Sequence, residues 1–189
     1  MGDYVDVASP SNRERLTAAH LYDSVTNLLE LGTTRLENEF FRLVAGTAGQ
    51  WLGLLEGHHY YEYSPSETSD TRLAEMLGAR FLGDSVMYRL VFEKSFPFGK
   101  VELPYDIHAW HGEGSGGVMG AMNKLRKKAG HWDADLFLMG HYSQRAVEKC
   151  HRTMLTTDAT DLTAKDITLG LTGGYVKGYV VGNRRGRSQ

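Results

Sequence analysis

Four short stretches carry the side chains of this sequence that could do chemistry together: Gly2-Asp3-Tyr4-Val5-Asp6, Gly57-His58-His59, His111-Gly112 and Gly140-His141. Each sets a carboxylate or an imidazole beside a glycine, and glycine permits the tight turns that aim side chains into a common cavity. One carboxylate with several imidazoles is a donor set for a borderline divalent ion such as zinc, manganese or iron. Any one of these histidines alone reads as an exposed or backbone-bonded residue at a strand end. As a series, Asp3, His58 or His59, His111 and His141 read as one metal site.

The elements that must position them follow from the apolar pattern. Trp51 to Glu56 is a short apolar run that stops on Gly57, which predicts a strand buried on both faces that releases His58 and His59 at its end. Asp135 to Met139 repeats the arrangement ahead of Gly140-His141. From Val101 the pattern alternates, so Val101, Leu103, Tyr105, Ile107, Ala109 and His111 share one face of a strand, and His108, a reserve ligand, points the other way. Three strand ends that each deliver a histidine predict a site along the carboxyl edge of a sheet, where open α/β folds bind ligands.

The remaining elements are helices and further strands. Ser11 with Glu14 predicts a helix start, continued by Leu21, Val25, Leu28 and Leu29; Thr34 with Glu37 predicts a second, carrying Leu36, Phe40, Leu43 and Val44 and ending near Gly46. Residues 60–70 read as a loop and 71–77 as a short helix. Val86 to Phe92 reads as a strand before a turn around Pro97 and Gly99. A helix follows the glycine-rich stretch, with Val118, Ala121, Met122 and Leu125 on one face, and strands are expected near 153–157, 167–171 and 175–181. The class is α/β.

The whole chain sets bounds. At 189 residues it can form one domain with a sizeable core, and its 41% hydrophobic and 23% charged residues are ordinary for a globular protein. A net charge of −2 gives no global electrostatic case for nucleic acid or membrane. The single cysteine, Cys150, rules out an internal disulfide. With no apolar run of membrane-spanning length and no signal-peptide pattern, a cytoplasmic protein without a membrane partner is expected.

In order and context, the four stretches resemble the motifs of the calcineurin-like metallophosphoesterases. That family's pattern runs DxH, GDxxD, GNH followed by an acid, a lone His, then GHxH, and the resemblance spans nearly the whole chain. It implies an α/β fold of two β-sheets in a sandwich flanked by helices, as a single domain over 1–189 whose first strand lies before Gly2, with a basic tail at 182–189. Carried over by position, Asp3 would bridge two metals and His58 would stand where the family has asparagine. His111 and His141 would complete the second metal's ligands. His59 would assist the leaving group and Asp6 would orient His59. The implied chemistry is hydrolysis of a phosphomonoester or phosphodiester, nucleotide or nucleic acid included, by a metal-bound hydroxide. One or two ions of manganese, zinc or iron would serve, a pair lying about 3.5–4 Å apart.

Departures from that pattern define a second reading. The DxH segment would fall upstream of Gly2, Ser143 stands where GHxH has its last histidine, and Tyr60 stands where the family has an acid. The first metal thus keeps little beyond Asp3, whereas the second keeps Asp3, His58, His111 and His141. The alternative is a catalytically impaired or inactive remnant of the same fold that acts as a binding or interaction module.

Other features have two readings each. Gly112-Glu113-Gly114-Ser115-Gly116-Gly117 before a helix invites a dinucleotide-binding reading, but the next strand ends in Met139-Gly140-His141 rather than an acid, so a turn beside His111 is expected. Lys124, Arg126, Lys127 and Lys128, with Arg184, Arg185 and Arg187, could contact a nucleic-acid backbone or simply form a solvated face and tail. Tyr60, Tyr61 and Tyr63 could stack on a base or serve ordinary packing. His20, His131 and His151 read as structural or exposed.

Overall fold

The computed structural model describes residues 1–19 and 21–174, so His20, the strand expected over 175–181 and the basic tail 182–189 lie outside the described residues. The chain is α/β and divides into two compact units, Met1–Ser85 and the part from Val86 on.

In the first unit, α1 (Pro10–Ala18) begins with Pro10 in its first turn, where the missing N–H is no loss. It is followed by α2 (Asp23–Val44), a single helix of 22 residues. The predicted break at Thr34 is therefore absent; α1 ends at Ala18 and α2 begins at Asp23. Thr34 resembles a cap in sequence, but here the helical ladder runs through it. The Thr33 hydroxyl donates back to the Leu29 carbonyl (2.9 Å), and the Asn38 side chain donates to the Thr34 carbonyl (2.8 Å). Gly32 costs a helix interior only about 1 kcal/mol against alanine, too little to divide it. The inner face also differs from the expected leucine stripe: Thr33 and Glu37 are buried, while Leu28 and Leu43 are 70% and 85% exposed.

The apolar run at 51–57 forms one parallel bridge, Leu54 to Phe81, rather than the expected strand. Leu54 N–H donates to the Arg80 carbonyl (2.8 Å), Leu82 N–H to the Leu54 carbonyl (2.9 Å) and Glu56 N–H to the Gly83 carbonyl (2.7 Å). Leu54 packs with Val5, Leu73, Ala74 and Leu77, lined by Phe40, Phe41, Val44 and Trp51. Within the expected loop lies a small antiparallel hairpin, β1 (Glu62–Ser64) and β2 (Glu67–Thr68). It leads into α3 (Ser69–Met76), whose start is fixed by reciprocal bonds between Thr68 and Thr71.

The second unit is built on a five-stranded sheet ordered β3-β4-β5-β7-β6. Its strands are β3 (Ser85–Phe96), β4 (Gly99–Trp110), β5 (Leu136–Met139), β6 (Arg145–Leu155) and β7 (Leu162–Thr172), with α4 (Val118–His131) between β4 and β5. β4, β5 and β7 run parallel, and β6 returns antiparallel to β7 along its whole length. A parallel pair of neighbours needs a crossover, and α4 supplies it. The helix buries Ala121, Met122, Leu125 and Ala129 against Phe137, Met139, Ile167, Leu169 and Leu171. Arg152 on β6 closes the far end of α4: its guanidinium donates to the carbonyls of Ala129 and Trp132 and to Asp133. Among the described residues, no helix is long and apolar enough to cross a membrane.

Candidate functional site

In the first unit the stretches at 2–6 and 57–59 are tied into one knot. Asp3 sits in the left-handed region (φ 52°), which aspartate tolerates better than most residues. Its Oδ1 accepts the backbone N–H of His58 (2.5 Å) and of His59 (2.9 Å). The approach is close because Gly57 has no side chain; a Cβ there would overlap the Asp3 backbone, with Cα only 2.8 Å away. Gly57 N–H in turn donates to the buried carboxylate of Asp70 (2.7 Å). The His59 carbonyl receives the N–H groups of Val7 (3.0 Å) and Ala8 (3.2 Å).

His59 and Asp6 form a pair: Nδ1 lies 2.7 Å from the Asp6 carboxylate. A carboxylate is an acceptor, so Nδ1 carries the proton and Nε2 is the ring atom through which His59 can exchange one. Asp6 is 88% exposed, so the contact contributes orientation more than charge stabilisation.

In the second unit, register decides the geometry. Trp110 stands opposite Met139 in the parallel β4–β5 pair, and Gly140 N–H extends the ladder to the Trp110 carbonyl (3.1 Å). Both strands therefore end at the same edge, one on His111 and the other on Gly140-His141. The two imidazole centroids lie 5.3 Å apart at 74°. His111 is buried, and His141 takes a left-handed φ of 62°.

His141 Nε2 lies 2.6 Å from the Gly114 carbonyl, which can only accept, so Nε2 is protonated and Nδ1 is the basic nitrogen. A backbone carbonyl holding one ring N–H while the other nitrogen faces a ligand is the usual support of a metal-binding histidine. The glycine-rich turn is thus engaged through its carbonyls: Glu113 O accepts Lys124 Nζ (2.7 Å) and the Tyr142 hydroxyl (3.0 Å). Gly112 has φ 101°, and a Cβ there would press on Met139 Cγ at 2.9 Å and on His141 Cβ at 3.1 Å.

No protein-family model matches the sequence, and no curated protein or solved structure matches the chain.

The other candidates fall elsewhere. His108 is buried with its ring 5.6 Å from both Trp132 and Phe137; burial, with Lys128 adding, pushes its imidazole below the usual histidine range. Ser143 is exposed. His131 is exposed, and His151 pairs with Asp166 (2.7 Å) on the outer side of the β6–β7 hairpin. The basic run on α4 is largely engaged within the chain: Arg126 forks onto Glu148, Lys124 reaches Glu113, and Lys128 lies 4.4 Å from the Trp110 ring centroid. Tyr61 and Tyr63 pack edge to face at 4.9 Å.

Three polar groups of the first unit hold positions that nothing in the sequence signals. Asp70 falls at the end of the stretch 60–70 that reads as a loop, so nothing signals its bond to Gly57. Glu37 looks like a capping acid, yet it is buried, accepting from the Tyr63 hydroxyl (3.0 Å) with Arg72 at 3.5 Å. Burial pushes its carboxyl above the usual range and, with Glu37 alongside, carries the Tyr63 phenol up to about 12. The third is Arg13, an arginine on a polar helix that no pattern singles out.

Proposed function

We propose that the chain is a metal-dependent phosphoesterase of the calcineurin-like type. By the resemblance, Asp3, His58, His111 and His141 are its metal ligands, and His59, oriented by Asp6, is its proton donor. The observation that carries this reading is the Asp3 knot: two motifs 55 residues apart in sequence, assigned to one site by resemblance, are in direct contact through Asp3, His58 and His59. The His111–His141 pair, two imidazoles with His141 held in one tautomer by the Gly114 carbonyl, also supports it. Imidazole and carboxylate donors fit manganese, zinc or iron. When bound, such an ion polarises a phosphoryl oxygen and makes water a nucleophile near neutral pH.

The chain's own residues account for the rest. Asp3, fixed by two amides, keeps its carboxylate in place. His59 holds a proton on Nδ1 against Asp6 and, when its ring is charged, offers the Nε2 proton to a departing alkoxide. The substrate is a phosphate ester, with nucleotides and nucleic acids within the class. On this reading the fold is the family's two-sheet sandwich flanked by helices.

Ser143 favours the alternative, a one-ion binding module without turnover, because a hydroxyl is a poor ligand where the family has imidazole. Manganese stoichiometry, together with hydrolysis of bis(p-nitrophenyl) phosphate, separates the two. Turnover lost in both His59→Ala and His141→Ala, with the ion lost only in the latter, is the phosphoesterase. An ion lost in His141→Ala without turnover in the parent chain is the module. A chain that takes up no divalent ion overturns both.

A further inference from the structure

Helix α1 has no apolar face to hold it in place. Of its described side chains only Arg13 and Leu16 are half-buried. What anchors it is Arg13. Its Nη1 donates to the carbonyls of Ala8 (2.8 Å) and His58 (2.6 Å) and makes a longer, shared contact to the Tyr60 carbonyl (3.3 Å). The guanidinium carbon lies 3.8 Å from the Tyr60 ring centroid, within cation–π range.

These bonds bear on the histidines through one peptide group. The carbonyl of His58 and the N–H of His59 belong to the same planar unit. Arg13 holds the carbonyl end and Asp3 Oδ1 holds the N–H end. A peptide plane gripped at both ends cannot rotate, and the side chains of His58 and His59 project from its two flanking Cα atoms. Loss of the arginine would leave the Asp3 bonds intact but free the carbonyl side.

We propose that Arg13 is the positioning residue of the His58–His59 turn, fixing the peptide plane from which both imidazoles project. What this serves, ligation by His58 and proton donation by His59, rests on the function proposed above; the positioning itself does not.

The test uses the full chain labelled with 15N-histidine, as Arg13→Ala, Arg13→Lys and, as a control on the same helix, the exposed Arg15→Ala. Imidazole nitrogen shifts are read at one pH without metal, and manganese affinity is read from the EPR signal of the free ion. Arg13→Ala is expected to move the His59 ring nitrogens away from the Asp6-held tautomer while the His131 and His151 signals stay in place. Manganese binding should weaken about 10- to 100-fold, the usual effect of losing a group that orients a ligand. Arg13→Lys should recover part of both effects, because an ammonium can reach a carbonyl but lacks the planar fork. Arg15→Ala should match the parent. Unchanged His59 signals in Arg13→Ala overturn the proposal, as does a shift of every histidine signal that Arg13→Lys fails to reduce, which marks a general fold defect. If the parent binds no manganese but Arg13→Ala still moves only His59, the positioning stands and the phosphoesterase reading fails.

Discussion

Gly57→Ala probes the Asp3 knot most directly. The new methyl would overlap the Asp3 backbone and carboxylate, so the segment at 2–6 or the turn at 57–59 has to move. The bonds at risk are the two amide–carboxylate bonds from His58 and His59 to Asp3, plus the Gly57–Asp70 bond if the turn itself yields. Hydrogen bonds to charged acceptors contribute about 1.5–3 kcal/mol each. Asp3 is only half-buried and regains water once displaced, so the low end applies, giving about 3 kcal/mol for the pair. In a unit of this size that corresponds to a melting-point drop of roughly 12–24 °C. Gly32→Ala is the matched control: nothing lies within 4 Å of its added methyl, and in the interior of α2 it should stabilise by about 0.5–1 kcal/mol. Urea unfolding followed by circular dichroism gives both free energies, and hydrogen exchange of peptides covering 1–8 and 55–61 locates the loss. A Gly57→Ala protein destabilised by less than about 1 kcal/mol, with exchange at 58–59 as slow as in the parent, would refute the steric reasoning and with it the knot.

Three further outcomes follow from groups whose protonation or pairing is set by burial. His108 is held below the usual histidine range, so the unfolded chain binds its proton first; this site's contribution is whole above the unfolded value and is lost as pH falls through the folded one, and His108→Phe should flatten the acid limb of a urea-stability profile. Glu37 has the opposite sign: its carboxyl is raised, so stability falls as pH rises from the unfolded value through the folded one, and Glu37→Gln, which keeps an acceptor for Tyr63, should remove that slope. A slope that persists in either variant would show that another group carries it. Arg152→Ala should cost about 1–2 kcal/mol by uncapping α4, read from the same unfolding curves and from faster exchange at residues 128–133; unchanged exchange there would mean water replaces the guanidinium without loss.

The sequence by itself determined the α/β class, the histidine-bearing ends of β4 and β5, and the helix that joins them. Those features are local: an apolar run, a glycine and a helical stripe report on their own residues through the periods of strand and helix. It also brought Asp3, Asp6, His58 and His59 forward as one group, through motif order rather than through any physical signal linking position 3 to position 58. Tertiary structure alone decided the rest. Thr34 has a cap's chemistry, but whether it starts a helix depends on whether the preceding turn stays helical, and here the ladder continues through it. Glu37 and Thr33 are buried although polar, because Tyr63 and Arg72 meet Glu37 from the hairpin and from α3, and Thr33 satisfies its own hydroxyl on α2. Alternation placed His108 opposite His111, yet both are buried, since the end of β4 is covered on both faces. Arg13 is the clearest case. Its partners are backbone carbonyls, which every residue possesses, so no side-chain pattern could have named them before the chain brought α1 to the His58–His59 turn.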